Sequence, residues 1–246
     1  MMIAERIIKQ TKELGSLHFA LLDPDKQLPE EAGNIARQAE KAGSSAIMVG
    51  GSTLVSPEQV NETVQAIKKE TTIPVILFPS AANLLSPYAD GLFFMSLLNS
   101  RNLDFVIREH VQGSHFVKKS GIEPISMGYV IVEPGMTAGK IGEVDLVRRD
   151  DIETAVGYAL SAQYLGMNFF YLEAGSGAPE PIPDAMIKAV KKNIDIPLIV
   201  GGGIRTVKTA KQKTKAGADI IVTGTAIEQE KNVTRALKAI VTELQK

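Results

Sequence analysis

Residues 196–205, Ile-Pro-Leu-Ile-Val-Gly-Gly-Gly-Ile-Arg, join a short apolar run to three consecutive glycines. Leu, Ile and Val on both faces of so short a run are typical of a parallel strand that is covered on each side. Glycine at the turn that follows permits positive φ and lets backbone N–H groups approach a ligand closely. The stretch therefore predicts a buried strand that leads through a glycine turn into a helix.

The same unit recurs along the chain, because apolar runs alternate with amphipathic stretches such as 30–42, 58–69 and 232–244. Eight strand–helix units in 246 residues predict an α/β fold of the (β/α)8, or TIM, barrel class, which reaches this length as one domain. We expect a single barrel domain over residues 1–246, with an open doubly wound sheet as the alternative. The predicted strands are Leu17–Leu22, Ala46–Val49, Val75–Phe78, Leu92–Met95, Ile125–Val132, Asn168–Leu172, Leu198–Val200 and Ile220–Thr223.

The two halves of the chain resemble each other weakly. Residues 42–47 match 165–170, and residues 73–76 match 196–199, at one constant offset of 123 positions. Such a repeat favours a barrel built from two half-barrels, and a chance match is the alternative.

One unit is irregular. The segment between the third and fourth predicted strands contains Pro79 and Pro87, which leave little room for the usual crossover helix. We expect an extended crossover in which the third helix of the barrel is missing, so that an apolar flank lies open between neighbouring helices. A helix of barely two turns is the alternative.

Composition excludes several classes of function. Lys and Arg number 27 against 28 Asp and Glu, so no basic surface predicts nucleic acid or an anionic membrane as a partner. The absence of cysteine excludes a thiolate metal site and a cysteine nucleophile, and it is compatible with a reducing cytoplasm. Glu5 and Arg6 interrupt the apolar start of the chain, and no stretch has the length of a membrane helix. We expect a cytoplasmic protein without a transmembrane segment.

Glycines after the sixth to eighth strands predict a phosphate site. Gly201–Gly203 follow the seventh strand and Gly224-Thr225 the eighth, which is the phosphate-binding location of such barrels. Backbone N–H groups and a helix N-terminus attract a dianion there, whereas tight turns alone are the alternative. No P-loop is present, and no G-x-G-x-x-G follows a strand.

Acidic residues at other strand ends predict the remaining chemistry. Asp23 follows the first strand and Ser52 the second; a carboxylate and a hydroxyl, completed by waters and a phosphorylated substrate, suit Mg²⁺. Asp23 as a simple loop cap is the alternative. Glu173 is the only acid in the loop after the sixth strand; it can accept a proton from a substrate hydroxyl, or it pairs with a basic residue.

These motifs together resemble the geranylgeranylglyceryl phosphate synthases of archaea and their bacterial heptaprenylglyceryl phosphate relatives. They span nearly the whole chain in the family's order. The matching blocks are residues 22–26 (LDPDK), 49–52 (VGGS), 96–100 (SLLNS), 128–131 (GYVI), 170–176 (FYLEAGS), 200–204 (VGGGI) and 222–225 (VTGT).

The resemblance implies a fold, a reaction and a site. The fold is a modified (β/α)8 barrel whose third helix is replaced by an extended segment. The reaction is Mg²⁺-dependent ether formation between a polyprenyl diphosphate, geranylgeranyl diphosphate in archaea, and the primary hydroxyl of sn-glycerol 1-phosphate, the first ether-forming step of archaeal membrane lipid synthesis. Asp23 and Ser52 would hold the metal, with Asp23 and Glu173 as the catalytic residues. The residues implied to bind sn-glycerol 1-phosphate are Tyr171, Leu172, Glu173, Ala174, Gly175, Ser176, Gly177, Gly202, Gly203, Gly224 and Thr225.

Some points stay open at this stage. Leu21 replaces the Lys of bacterial relatives, which favours the archaeal branch and leaves Lys26, Lys140 and Arg205 as candidate phosphate contacts. A heptaprenyl donor is one alternative, and a sugar-phosphate isomerase or aldolase is another. A catalytically inactive phosphate-binding barrel is the third. We also expect a homo-oligomer and transient membrane contact for product release, although no basic amphipathic anchor is visible.

Overall fold

The computed structural model describes residues 1–50, 55–224 and 233–244. Eight parallel strands form a closed barrel in which each strand pairs with its neighbours in chain order. β1 closes on β8, with Phe19 opposite Val222, so the barrel prediction is confirmed and the open sheet is excluded. The strands are β1 (Leu17–Leu22), β2 (Ala46–Val49), β3 (Val75–Leu77), β4 (Gly91–Leu97), β5 (Glu123–Ile131), β6 (Phe169–Glu173), β7 (Leu198–Gly201) and β8 (Ile220–Thr223).

Helices surround the barrel, and some of them begin at a capping side chain or end at a glycine. The Ser56 hydroxyl accepts a 3.2 Å hydrogen bond from the Gln59 N–H at the start of one helix, and Gly43 ends another in the left-handed conformation. Among the described residues, no helix is long and apolar enough to cross a membrane. The helices are α1 (Ile3–Leu14), α2 (Pro29–Ala42), α3 (Pro57–Glu70), α4 (Glu109–Ser120), α5 (Met136–Ile141), α6 (Ile152–Tyr164), α7 (Asp184–Asn193), α8 (Val207–Ala216) and α9 (Val233–Leu244).

Apolar side chains fill the barrel and the space between barrel and helices. Phe19, Phe93 and Phe169 are buried inside the barrel, where they form part of one cluster. Two further clusters lie between the strands and the helix layer. Large side chains in the interior make the barrel a packed core rather than a pore, so any ligand must bind beyond the strand ends.

The helix that usually follows the third strand of such a barrel is absent, as predicted. Residues 78–90 form an extended crossover with a single 3-10 turn at Ala82–Leu84, as the two prolines predicted. Leu84 and Leu85 pack into the outer cluster in place of a helix. The flank of the barrel between α3 and α4 is therefore covered by one thin segment.

Candidate active site

A cavity of about 360 Å³ lies at the carboxyl ends of the strands. Asp23 and Glu173 line one part of it together with the glycine turns after β7 and β8. Leu85, Phe93 and Phe94 line another part. The cavity thus joins a polar region to an apolar region, and residues from both halves of the chain meet there.

Glu173 is the buried carboxylate of the polar region, and its side chain is 7% exposed. It accepts a 2.7 Å hydrogen bond from the Tyr171 hydroxyl and a 2.6 Å hydrogen bond from the Gly175 N–H. Burial raises the pKa of Glu173, while these two hydrogen bonds act in the opposite direction. The alternative, in which Glu173 pairs with a basic residue, is not observed among the described residues, where its hydrogen-bond partners are a phenol and a backbone amide.

Three aromatic rings pack together next to Glu173, on the side of the barrel interior. The ring of Tyr171 lies 5.1 Å from that of Tyr129 and 5.9 Å from that of Phe78 between centroids. Burial raises the pKa of both tyrosines well above the ordinary value, so their hydroxyls stay protonated donors at neutral pH. Tyr171 is therefore fixed on several sides while it holds the carboxylate.

The glycine turns after β6 and β7 pack against each other. A Cβ at Gly202, where φ is +82°, would collide with the Glu173 carboxylate. A Cβ at Gly175, where φ is +100°, would lie 2.7 Å from the Gly135 backbone. Side chains are excluded at both positions, which keeps backbone rather than side chains at the surface around Glu173.

Strand alternation divides the predicted segment 171–177. Tyr171, Glu173, Ser176 and Gly177 line the cavity. Leu172 and Ala174 belong to the outer cluster beneath the helices instead, because successive side chains of a strand point to opposite faces. The Ala174 N–H donates to the Gly201 carbonyl at 3.2 Å, so Leu172 and Ala174 hold the loop in place rather than line the cavity. Gly202, Gly203 and Gly224 line it too, whereas Thr225 lies outside the described residues.

Two of the three candidate cations reach this region. Lys26 and Arg205 line the cavity, and Lys140 is exposed and is not part of its lining. The Arg205 Nη2 donates a 2.7 Å hydrogen bond to the Gly177 carbonyl. Arg205 thereby connects the turn after β7 to the loop after β6, at the end where a phosphate is expected.

Asp23 lies at the end of β1 and is 7% exposed. Its Oδ1 accepts a 3.2 Å hydrogen bond from the Asp25 N–H, so it does cap its own loop, while its side chain also borders the cavity. Ser52 lies outside the described residues. Within the ranges described, no three acidic, His or Cys side chains form a metal cluster. A single buried carboxylate facing a cavity fits Mg²⁺, which keeps waters and is completed by substrate phosphates.

Three residues were given no role by the sequence: His110 in the cavity wall, and the buried residues Asn99 and His18, which are not part of the cavity lining. His110 lines the apolar region, and its ring lies edge-on to Phe94 with centroids 4.4 Å apart, whereas its spacing in the sequence indicated only a surface or packing residue. Asn99 is structural: its side-chain amide donates to the Ile131 and Asp145 carbonyls at 2.9 Å. His18 is buried between the Ser44 and Thr223 hydroxyls. These contacts join segments that are remote in sequence, so no local sequence pattern predicts them.

The closed barrel of eight parallel strands, with helices between them and the cavity at the carboxyl ends of the strands, defines a (β/α)8 barrel. The chain belongs to the PcrB family, whose sequence profile matches residues 6–244.

Relatives of known name are similar over almost the whole chain. The geranylgeranylglyceryl phosphate synthase of Pyrococcus horikoshii is 52% identical over 96% of this chain and 93% of its own. That of Picrophilus torridus is 46% identical over 99% of this chain and 100% of its own. The crystal structure of (S)-3-O-geranylgeranylglyceryl phosphate synthase from Thermoplasma acidophilum, in complex with the substrate sn-glycerol-1-phosphate, superposes with a TM-score of 0.97 at 44% identity, over 100% and 99% of the two chains.

A more distant barrel shares the fold alone. Thiamine phosphate pyrophosphorylase from Pyrococcus furiosus superposes with a TM-score of 0.61 at 15% identity, over 93% of this chain and 95% of its own.

Proposed function

We propose that this chain, acting as one barrel domain over residues 1–246, is a Mg²⁺-dependent prenyltransferase. It joins geranylgeranyl diphosphate to the primary hydroxyl of sn-glycerol 1-phosphate through an ether bond. One observation supports this most: the buried Glu173 lies in a cavity that has glycine turns at one end and apolar walls at the other. That arrangement suits a reaction between a small phosphorylated alcohol and a lipid.

Glycerol phosphate is proposed to bind at the glycine turns. Its phosphate faces the backbone of Gly202, Gly203 and Gly224, with Thr225 completing the set and Arg205 as the nearest candidate cation. Backbone N–H groups at such turns favour a dianion. The glycerol hydroxyls then face Glu173 within the segment 171–177.

The metal is proposed to bind at Asp23 with Ser52. When bound, Mg²⁺ supplies positive charge that neutralises the departing diphosphate. Lys26 borders the cavity three residues after Asp23 and adds a second positive charge for the same group. The donor's diphosphate is thus proposed to lie at the end of β1, next to the turn after β8, because β1 pairs with β8 in the closed barrel.

The residues of the chain perform the rest of the reaction. The bond between the allylic carbon and the diphosphate oxygen breaks, and the diphosphate leaves with the electron pair. Apolar walls exclude water, which would otherwise capture the allylic cation. The glycerol hydroxyl oxygen forms the new C–O bond, and its proton passes to the Glu173 carboxylate, whose raised pKa suits a proton acceptor.

The lipid tail is proposed to occupy the apolar region beside residues 78–90. Each buried methylene contributes roughly 0.8 kcal/mol, so a C20 tail contributes about 15 kcal/mol before ordering costs. Tail length should therefore control affinity, and a heptaprenyl donor is the alternative. An aldolase is less well supported, because none of the described strand ends carries a Lys for a Schiff base. A sugar-phosphate isomerase, which would use an acid/base pair, is a further alternative.

We further propose a cytoplasmic homo-oligomer that contacts the membrane transiently to release its product.

The test is incubation with sn-glycerol 1-phosphate, Mg²⁺ and farnesyl, geranylgeranyl or heptaprenyl diphosphate, followed by mass spectrometry of the extracted lipid. We expect the geranylgeranyl ether, and none from sn-glycerol 3-phosphate. Asp23→Asn should abolish the product with little loss of stability, while Asp25→Asn, at an exposed neighbour, should keep it. Near-wild-type turnover of Asp23→Asn would remove Asp23 from its role, and no ether from any donor would refute the function.

A further inference from the structure

The helical wall of the cavity has apolar side chains on its outer face. One π-helical turn at Asp104–Arg108 leads into α4. Leu103, Ile107 and Val111 follow one another at intervals of four residues and are 52%, 52% and 65% exposed. We call these three residues the α4 stripe. Aliphatic side chains exposed in a row, rather than singly, mark an interaction surface.

The inner face of the same helical segment lines the cavity. Phe105, His110 and Gly113 border the apolar region, and they alternate along the segment with the residues of the α4 stripe. Because the helix after β3 is missing, this segment and residues 78–90 are the cover on this flank. The α4 stripe is therefore separated from the cavity by the thickness of one helix.

We infer that the α4 stripe docks the barrel on the surface of a lipid bilayer, at the boundary between headgroups and acyl chains. The identity of the transferred lipid, a prenyl donor or its ether product, rests on the proposed function. Docking at this flank places the apolar region of the cavity next to the membrane. A lipid tail then moves between bilayer and cavity with little exposure to water.

A bilayer suits the α4 stripe better than a second copy of the chain does. Three half-exposed aliphatic side chains fall well short of the ~800 Å² per partner that a stable protein interface buries. A shallow apolar strip is enough for reversible attachment to a membrane surface, where binding scales with apolar area and with attraction to anionic lipids.

The charges along the same segment favour an anionic surface. Residues 101–119 contain four Arg or Lys and two Asp or Glu. Arg101 and Arg108 form ion pairs with Asp145 and Asp104, so the positive charge that remains comes from Lys118 and Lys119 at the end of α4. One of the two acids, Glu109, is turned inward, where it accepts a hydrogen bond from the Ala82 N–H. Basic residues close to a membrane surface each add to the attraction of anionic headgroups.

Vesicle binding tests the inference without any assay of turnover. Wild-type protein is floated with vesicles of phosphatidylcholine containing a quarter phosphatidylglycerol, beside the variant Leu103→Ser/Ile107→Ser/Val111→Ser. The matched control is Tyr164→Ser/Leu165→Ser, whose residues are 77% and 70% exposed at the end of α6. We expect the first variant to lose vesicle affinity about tenfold or more, and the control to bind like wild type. Equal binding of the first variant and wild type, or no binding by wild type, would overturn the inference.

A fluorescent probe keeps the test decisive if the triple variant does not fold. The chain contains no Trp, so Ile107→Trp introduces a single reporter at an exposed position. We expect its emission to shift to the blue and to be quenched by brominated lipid, whereas Tyr164→Trp should show neither change. An unchanged Ile107→Trp spectrum with vesicles, or a monomeric triple variant beside an oligomeric wild type, would refute membrane docking.

Turnover separates this inference from the proposed function. With donor dissolved in detergent, the triple variant should match wild type, and with donor embedded in vesicles it should be slower. If the wild type formed no ether product in detergent, the proposed function would be refuted. Vesicle binding would still test membrane docking, because that assay does not depend on turnover.

Discussion

The Tyr171 hydroxyl donates a 2.7 Å hydrogen bond to Glu173, two residues further along β6. Both side chains face the barrel interior because residues i and i+2 of a strand share a face. The bond fixes the carboxylate at the mouth of the barrel and stabilises its charged form against burial.

Removing that donor should change the pH dependence of turnover. Tyr171→Phe deletes a hydrogen bond that lowers the pKa of Glu173, so the pKa rises further and the carboxylate ionises at higher pH. We expect the acidic limb of the kcat/KM profile to move to higher pH. Tyr129→Phe, which alters the neighbouring ring at 5.1 Å, is the control. Superimposable profiles for Tyr171→Phe and wild type would exclude Glu173 as the proton acceptor.

Glu173→Gln should separate activity from stability. A glutamine cannot take the proton, and we expect kcat to fall by about 10²–10⁴. A raised pKa means that the folded state binds the proton more tightly than the unfolded state does. The free energy of unfolding of the wild type therefore decreases as pH rises above the ordinary Glu value of 4.5. The free energy of unfolding of Glu173→Gln should not show this decrease, and urea titrations across the acidic range would measure it. If Glu173→Gln were less stable than the wild type at neutral pH, this prediction would be contradicted.

Gly202→Ala should disturb the site beyond the strain of its backbone. Gly202 has φ +82° and its Cβ would collide with the Glu173 carboxylate. Gly121→Ala has a similar φ of +76° with nothing within 4 Å, and so reports the backbone cost alone, about 1–2 kcal/mol. We expect Gly202→Ala to be less stable than Gly121→Ala and to raise the KM for glycerol phosphate. If Gly202→Ala and Gly121→Ala had equal stabilities and equal KM values, the turn after β7 would have space for a Cβ at Gly202.

Gly113→Leu should narrow the apolar region of the cavity. A Cβ at this position already lies 3.1 Å from the Leu85 Cδ1, so a larger side chain projects into the space proposed for the tail. We expect the preference of kcat/KM to move from geranylgeranyl towards farnesyl diphosphate by about tenfold. Gly157→Leu, on α6 with nothing within 4 Å, should leave the preference unchanged. An unaltered preference in Gly113→Leu would place the tail elsewhere.

His18 should make the barrel sensitive to acid. Burial lowers the pKa of His18 to about 4 from the ordinary 6.5, so the unfolded chain takes up a proton first as pH falls. The resulting loss of stability begins near pH 6.5 and reaches about 3 kcal/mol near pH 4, at ~1.4 kcal/mol per pKa unit. His18→Gln should flatten this part of the stability curve, and exposed His115→Gln should not. Identical acid dependence in wild type and His18→Gln would assign the effect to other groups.

The amino-acid sequence alone determined the fold and the residue types at each strand end. The evidence for the fold is local in sequence: short runs of Val, Ile and Leu form strands, glycines form the turns, and two prolines prevent a helix after β3. Each of these effects depends on neighbouring residues, so it can be predicted from the order of the residues alone. The repeat is an example: β2 and β6 begin at Ala46 and Phe169, and β3 and β7 at Val75 and Leu198, at the predicted offset.

Only the tertiary structure decided which of those residues meet. Strand alternation turned Leu172 to the helix layer and Glu173 to the cavity. His110 reached the cavity wall because α4 packs beside the segment that replaces a helix, and the same packing left the α4 stripe exposed on the other side. The physical reason is closure of the barrel: helix and strand periodicity are local, whereas convergence at one rim depends on how all eight strands pair.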